Sequence, residues 1–145
     1  MTDLILASIL KRLDGGIQNI AAFCGSGRKS KFHRQIEAAG LTPTEYLKTA
    51  RAAARRTRYD PMALDFSNDD VHKLMITAPD GRVVRFGRVG YGDFLLWSAL
   101  EAAGRAPRGK ASEKRTTFRK SHMAMGGSWR DDRYSPNWLA IRILW

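Results

Sequence analysis

Apolar positions along the chain fall into short runs whose spacing changes twice. From Leu4 to Leu13 they stand at 4, 5, 6, 9, 10 and 13, the spacing of one helical face. Thr2 or Asp3 can cap that helix, and Asp14-Gly15-Gly16 ends it. A short apolar run, 17–23, leads into the loop Cys24-Gly25-Ser26-Gly27-Arg28-Lys29-Ser30-Lys31. A second short helix is predicted from Phe32 to Ala39, stopped by Gly40.

The clearest local signal is Leu41-Thr42-Pro43-Thr44-Glu45-Tyr46. Thr42 is placed as N-cap, Pro43 as the first helical residue and Glu45 as the return partner of a capping box. Leu41 and Tyr46 occupy the positions of a hydrophobic staple. The spacing predicts a helix over about 43–58, with Leu47, Ala50, Ala53 and Ala54 on one side and Arg51, Arg55 and Arg58 on another. Asp60-Pro61 breaks it.

The period then shortens. Residues 72–78 and 82–86 are rich in β-branched and apolar side chains, and Ala78-Pro79-Asp80-Gly81 between them fits a type I turn. A hairpin is therefore predicted over about 72–87. Two strands alone are marginal, so a cover is needed. The apolar helix predicted at about 93–103, opened by Asp93, is the expected one. Ser112 is the expected cap of a basic helix over about 113–123, and Ser135-Pro136-Asn137 opens a last element over about 136–145.

These elements predict an α+β fold: a mostly helical single domain, 41–145, with one β-hairpin packed on helices. A basic helical extension, 1–40, precedes it. The expected core holds Phe86, Phe94, Leu96, Trp97, Leu139 and Leu144.

Composition supports a folded chain. Of 145 residues 43% are hydrophobic and four are tryptophan, enough for a real core. A single cysteine makes no internal disulfide and points to a reducing setting such as the cytoplasm. No apolar run reaches the ~20 residues of a membrane span. Asp3 and the lack of a positive leader argue against a signal peptide.

Charge changes the picture further. The net charge is +11 and lies in two flanks: +6 over residues 1–60 and +7 over 105–145, around −2 over 61–104. Acidic partners are expected, either nucleic acid or an acidic protein surface. The candidate contacts are Arg28, Lys29, Lys31, Arg51 and Arg55 in the first flank, with Lys110, Lys114, Arg115, Arg119 and Lys120 in the second. Phe118, His122 and Trp129 interleave with the second set, and aromatics beside cations can stack bases.

Other motifs carry less. Gly25–Ser30 departs from the phosphate-binding loop pattern, because Arg28 separates Gly27 from Lys29 and no earlier glycine stands at the required position. Gly87-x-x-Gly90-x-Gly92 lacks the βαβ setting of a dinucleotide site and reads as a tight strand-to-helix turn. His33, His72 and His122 are not at metal-ligand spacing from one another or from Cys24. Cys24 has basic neighbours but no base placed beside it by the sequence. Ser67-Asn68-Asp69-Asp70 before His72 reads as a turn. Met123 and Met125 read as packing residues. No catalytic residue, metal site or cofactor is expected.

Several strings stand in a telling order: His72-Lys73-Leu74-Met75, Val84-Arg85-Phe86-Gly87, Gly90-Tyr91-Gly92-Asp93-Phe94, the stretch Lys114–His122, and Tyr134-Ser135-Pro136-Asn137-Trp138-Leu139-Ala140 with Ile143-Leu144-Trp145. In that order they resemble a family of small proteins of nucleocytoplasmic large DNA viruses (giant viruses), with shorter relatives in tailed phages. The resemblance covers about residues 42–145. It implies a virion protein, found in the particle and in host cytoplasm during assembly, and it supplies no catalytic residue. The expected function is that of a non-enzymatic minor capsid or cement protein whose partners are other capsid or virion proteins. Phe86, Tyr91, Asp93, Trp97, Trp138 and Trp145 are then expected to serve the fold or an interface. The alternative is a basic protein that packages or shields the viral genome. An enzyme acting on nucleic acid ranks third, because no acid, base and nucleophile converge in the sequence.

Overall fold

The computed structural model describes residues 30–145. The predicted helix at 4–13, the run at 17–23, Cys24 and the contacts Arg28 and Lys29 lie outside the described residues.

The described chain is an α+β unit of five helices and a three-stranded antiparallel sheet. It begins at Lys31, not after residue 40. The helix assigned to the extension, α1 (Lys31–Ala38), belongs to the unit because it buries Phe32 and Ile36 in the main core. Gly40, at φ +92°, ends it, and the Leu41 amide reaches back to the Ile36 carbonyl at 3.2 Å. That is a Schellman closure.

Helix α2 (Pro43–Arg56) starts as its sequence dictates. The Glu45 amide donates to Thr42 Oγ1 at 3.1 Å, and the Thr42 amide donates to Glu45 Oε1 at 2.8 Å. Tyr46, Ala50, Ala53 and Ala54 form the buried face. Arg58, at φ +69°, closes the helix in the left-handed region usually left to glycine. Arg133 Nη2 clamps this turn by donating to the Thr57 and Arg58 carbonyls at 3.2 and 2.9 Å.

The sheet runs β1 (Leu64–Phe66), β2 (His72–Thr77) and β3 (Val83–Arg88) in that order. The predicted hairpin is β2–β3, and its turn closes with the Gly81 amide on the Ala78 carbonyl at 2.9 Å. The register pairs Phe66 with Leu74, Leu74 with Phe86 and Ile76 with both Leu64 and Val84, so apolar side chains gather on one face.

The cover of this sheet is not the helix that sequence pattern suggested. Helix α3 (Phe94–Ala102) packs chiefly on α4 (Lys110–Met123). The sheet is covered by α2 and by the C-terminal segment, α5 (Pro136–Leu139) continued by a π-helical turn over Ala140–Leu144. Leu139, Ile143 and Leu144 are buried there with Leu64, Leu74 and Phe86. Leu96 is also buried, while Phe94 and Trp97 are half-buried against the core.

Helix α4 starts three residues earlier than expected. Its cap is not Ser112 but the side chain of Glu101, which accepts from the Gly109 amide at 3.1 Å and from the Ala111 amide. The Ala111 amide first, then that of Gly109, holds the Glu101 carboxyl below its ordinary range. Among the described residues no helix is long and apolar enough to cross a membrane.

Candidate functional site

A cleft of about 790 Å³ lies between the β2–β3 pair and α4. The strands contribute His72, Arg85, Gly87 and Arg88, and α4 contributes Phe118 and His122. Leu144 and Trp145 lie at the joint between the two walls, and Tyr91, Met125 and Trp129 reach it from loops. Among the described residues no Asp, Glu, Ser, Thr or Cys lines it, whereas Lys73, Arg85, Arg88 and two histidines do.

Two glycines shape its strand wall. A Cβ on Gly87, at φ +77°, would stand 2.7 Å from Leu144 Cδ1 and 3.3 Å from Lys73 Cβ. A Cβ on Gly92 would run into the indole nitrogen of Trp97. The glycine run therefore serves close packing, and at Gly87 a left-handed backbone as well.

Beneath this wall sits a buried polar trio. Lys73 Nζ donates to Asp93 Oδ2 at 2.9 Å, Tyr46 Oη donates to the same oxygen at 2.7 Å, and the Leu96 amide donates to Asp93 Oδ1 at 2.9 Å. One carboxylate thus caps α3, neutralises a buried lysine and anchors α2. Burial first, and then the Asp93 charge and hydrogen bond, push the Tyr46 phenol well above its ordinary pKa.

His72 is held by Asp69, whose Oδ2 lies 3.0 Å from His72 Nδ1 and whose Oδ1 accepts the His72 amide at 2.8 Å. Ser67 Oγ donates to Asp69 at 2.9 Å. Desolvation opposes ionisation of Asp69, but hydrogen bonds from His72, Ser67 and Val71 outweigh it and hold the carboxyl well below the usual range. The predicted turn at 67–70 is therefore also a holder for an imidazole at the cleft's edge. Arg85 joins it, donating to Asn68 Oδ1 at 3.1 and 2.9 Å.

The aromatic rings of the C-terminal third are engaged with one another. Phe118 stacks on His122 at 3.7 Å and on Trp145 at 4.6 Å, both nearly parallel. Two parallel rings so close to a third cannot share one face, so both faces of Phe118 are covered. Trp129 and Trp138 meet edge to face at 4.9 Å. Arg130 lies over Trp129 and Arg142 over Trp138, at 4.4 and 3.8 Å.

The predicted contact cations divide. Arg115 Nε and Arg119 Nη2 both donate to the Trp145 backbone oxygen, at 2.7 and 3.0 Å, and Arg115 also lies 3.6 Å over the Phe94 ring. Burial, with the Arg119 and Arg56 charges, pulls the Arg115 pKa down. Arg51 gives two hydrogen bonds to the Leu64 carbonyl, at 3.1 and 2.9 Å. These three arginines hold backbone. Lys110 lies 3.5 Å from Glu113, and Lys114 lies over Trp97 at 5.4 Å. Lys31, Arg55 and Lys120 are exposed.

Of the residues expected to serve fold or interface, Phe86, Asp93 and Trp145 are buried, and Trp97 and Trp138 are half-buried. Tyr91 is 68% exposed at the cleft mouth. Pattern reading missed Arg85, Arg88, His72 and Lys73 as one group. Alternation marks Arg85 and Lys73, of opposite parity to Phe86 and Leu74, but His72 and Arg88 share the parity of those core residues, so pattern gave no signal for the four together. Among the described residues no three His, Cys, Asp or Glu side chains converge as a metal site would need. The arrangement offers an apolar wall with a cationic margin. No family model, no curated protein and no solved structure matches this chain.

Proposed function

We propose that this chain is a non-enzymatic structural protein of a large DNA virus particle, a minor capsid or cement protein that docks larger capsid proteins. The order of strings from His72 to Trp145, which resembles a viral family, supports the viral setting. The observation that carries the docking role is the closed aromatic stack: with His122 and Trp145 on the two faces of Phe118, the inner ring of the cleft is taken up by packing and is closed to a stacking base. Arg51, Arg115 and Arg119 are likewise turned onto backbone oxygens. The test is composition of purified particles. The protein is expected in DNA-free capsids at fixed stoichiometry to the major capsid protein. Its presence only in infected-cell extract, never in particles, sinks the reading.

The second reading, a genome-binding protein, draws on the exposed Lys31, Arg55 and Lys120 within a +11 chain. It expects binding to unrelated DNA with a log–log salt slope steeper than about −4. Docking by protein contacts expects no DNA retention at moderate salt.

A further inference from the structure

We propose that the cleft between β2–β3 and α4 is a docking slot for an extended segment of a partner protein, one carrying an apolar side chain flanked by carboxylates. This rests on the docking reading above and names the site and chemistry of that contact.

Charge complementarity carries the choice of partner. Among the described residues the lining holds three Lys or Arg, two His and no Asp or Glu. Two of these cations already have partners: Lys73 on Asp93, and Arg85 on Asn68 with Asp69 at 3.7 Å. Arg88 is exposed and forms no ion pair with any described carboxylate. It is the margin's open guanidinium, shaped to take a carboxylate with two parallel hydrogen bonds. His72, held by Asp69, stands opposite Arg88 in the β2–β3 register.

The apolar part of the partner follows from the walls. Phe118, Leu144 and Trp145 are fixed by packing, whereas Tyr91 and Met125 are 68% and 46% exposed at the mouth. Rigid inner walls with an exposed Tyr and an adaptable Met are the make-up of a slot for an inserted side chain. A volume of about 790 Å³ admits a few residues of extended chain, too small for a docked helix with both flanks. Nucleic acid satisfies the cations but not the inner wall, because both faces of Phe118 are already covered.

The experiment is chemical-shift mapping on the full ¹⁵N-labelled chain. The probe is a synthetic hexapeptide of sequence Asp-Glu-Leu-Phe-Asp-Glu with blocked ends. Its controls are the same peptide with lysines in place of the acids, the same with Ser-Gly in place of Leu-Phe, and an oligothymidylate of matched length. Shifts are expected at Gly87, His122 and the Trp129 indole with the first peptide alone. Arg88→Glu, a change at an exposed site, is expected to weaken binding at least ~tenfold without altering the free spectrum elsewhere. Absence of cleft shifts at about millimolar peptide overturns the proposal, as do equal binding of the lysine or Ser-Gly peptide, indifference to Arg88→Glu, or stronger occupation of the same resonances by oligothymidylate. If the protein is nevertheless found in empty capsids, the slot falls and the structural role stands. If the peptide binds but particles lack the protein, the reverse holds.

Discussion

Lys73 and Asp93 meet in the core with their side chains 2% and 1% exposed and 2.9 Å between Nζ and Oδ2. Removing one partner leaves the other charged and buried. Lys73→Met alone and Asp93→Asn alone are each expected to cost about 3–5 kcal/mol in urea unfolding. The double variant keeps a side-chain oxygen to cap α3 and is expected to cost clearly less than the sum of the two. Strict additivity would show that the pair does not act as a unit.

Gly87 and Gly90 both sit at positive φ, +77° and +99°, but only Gly87 has a neighbour within reach of a Cβ. Gly90→Ala is expected to lower stability by about 1 kcal/mol through backbone strain alone. Gly87→Ala adds overlap with Leu144 and is expected to cost about 1–3 kcal/mol more. Leu144→Ala should recover part of that extra loss in a double variant, read by thermal melts. Equal melting temperatures for the two glycine variants would contradict this account.

Arg115 and Arg119 tether the last turn through the Trp145 backbone oxygen. Arg115→Ala removes a charged hydrogen bond and the stack on Phe94, and is expected to cost about 2–3 kcal/mol. Faster hydrogen exchange should appear at the amides of Leu139–Trp145 before those of β2. Arg115→Lys should rescue little, since a lysine has no planar face for Phe94. Unchanged exchange in this segment refutes the tether.

Acid should weaken the fold through four carboxylates. Asp69 is depressed by bonds from His72, Ser67 and Val71 against desolvation, and Asp80 chiefly by the Arg82 amide. Asp132 is depressed chiefly by the Arg82 side chain, and Glu101 by the Ala111 amide. For a depressed acid the stabilisation is complete above its ordinary value of about 4 and is lost as pH falls through the folded-state value. These groups are largely solvated, so each contributes little. The melting temperature is expected to fall between about pH 5 and pH 2, less steeply in Asp69→Asn. A flat profile, or one that Asp69→Asn leaves unchanged, counts against it.

What the sequence disclosed was local. Thr42 with Glu45, Gly40, Ser135 with Trp138, and the turn at 78–81 act within a few residues, and each formed where its pattern placed it. What it hid was long-range. Leu64-Asp65-Phe66 is too short for period-2 alternation to register, so β1 went unseen. Both α3 and the C-terminal segment are apolar enough to cover a hairpin, and pattern alone does not choose between them. The cations of α4 show helical spacing whether they face solvent or a carbonyl, and their carbonyl lies 26 and 30 residues away. The cleft was invisible for the same reason, since its walls come from segments distant in the chain.

The C-terminal cover has a consequence for synthesis on the ribosome. Strands β1–β3 are made before residues 136–144, which cover them. Until then Leu74 and Phe86 lack part of the surface that buries them. Local pieces such as the capped α2 and the β2–β3 turn can form early, but cooperative burial waits for residues 136–144. A nascent chain stalled short of residue 136 should therefore be protease-sensitive and chaperone-bound, and the addition of residues 136–144 decides when it ceases to be.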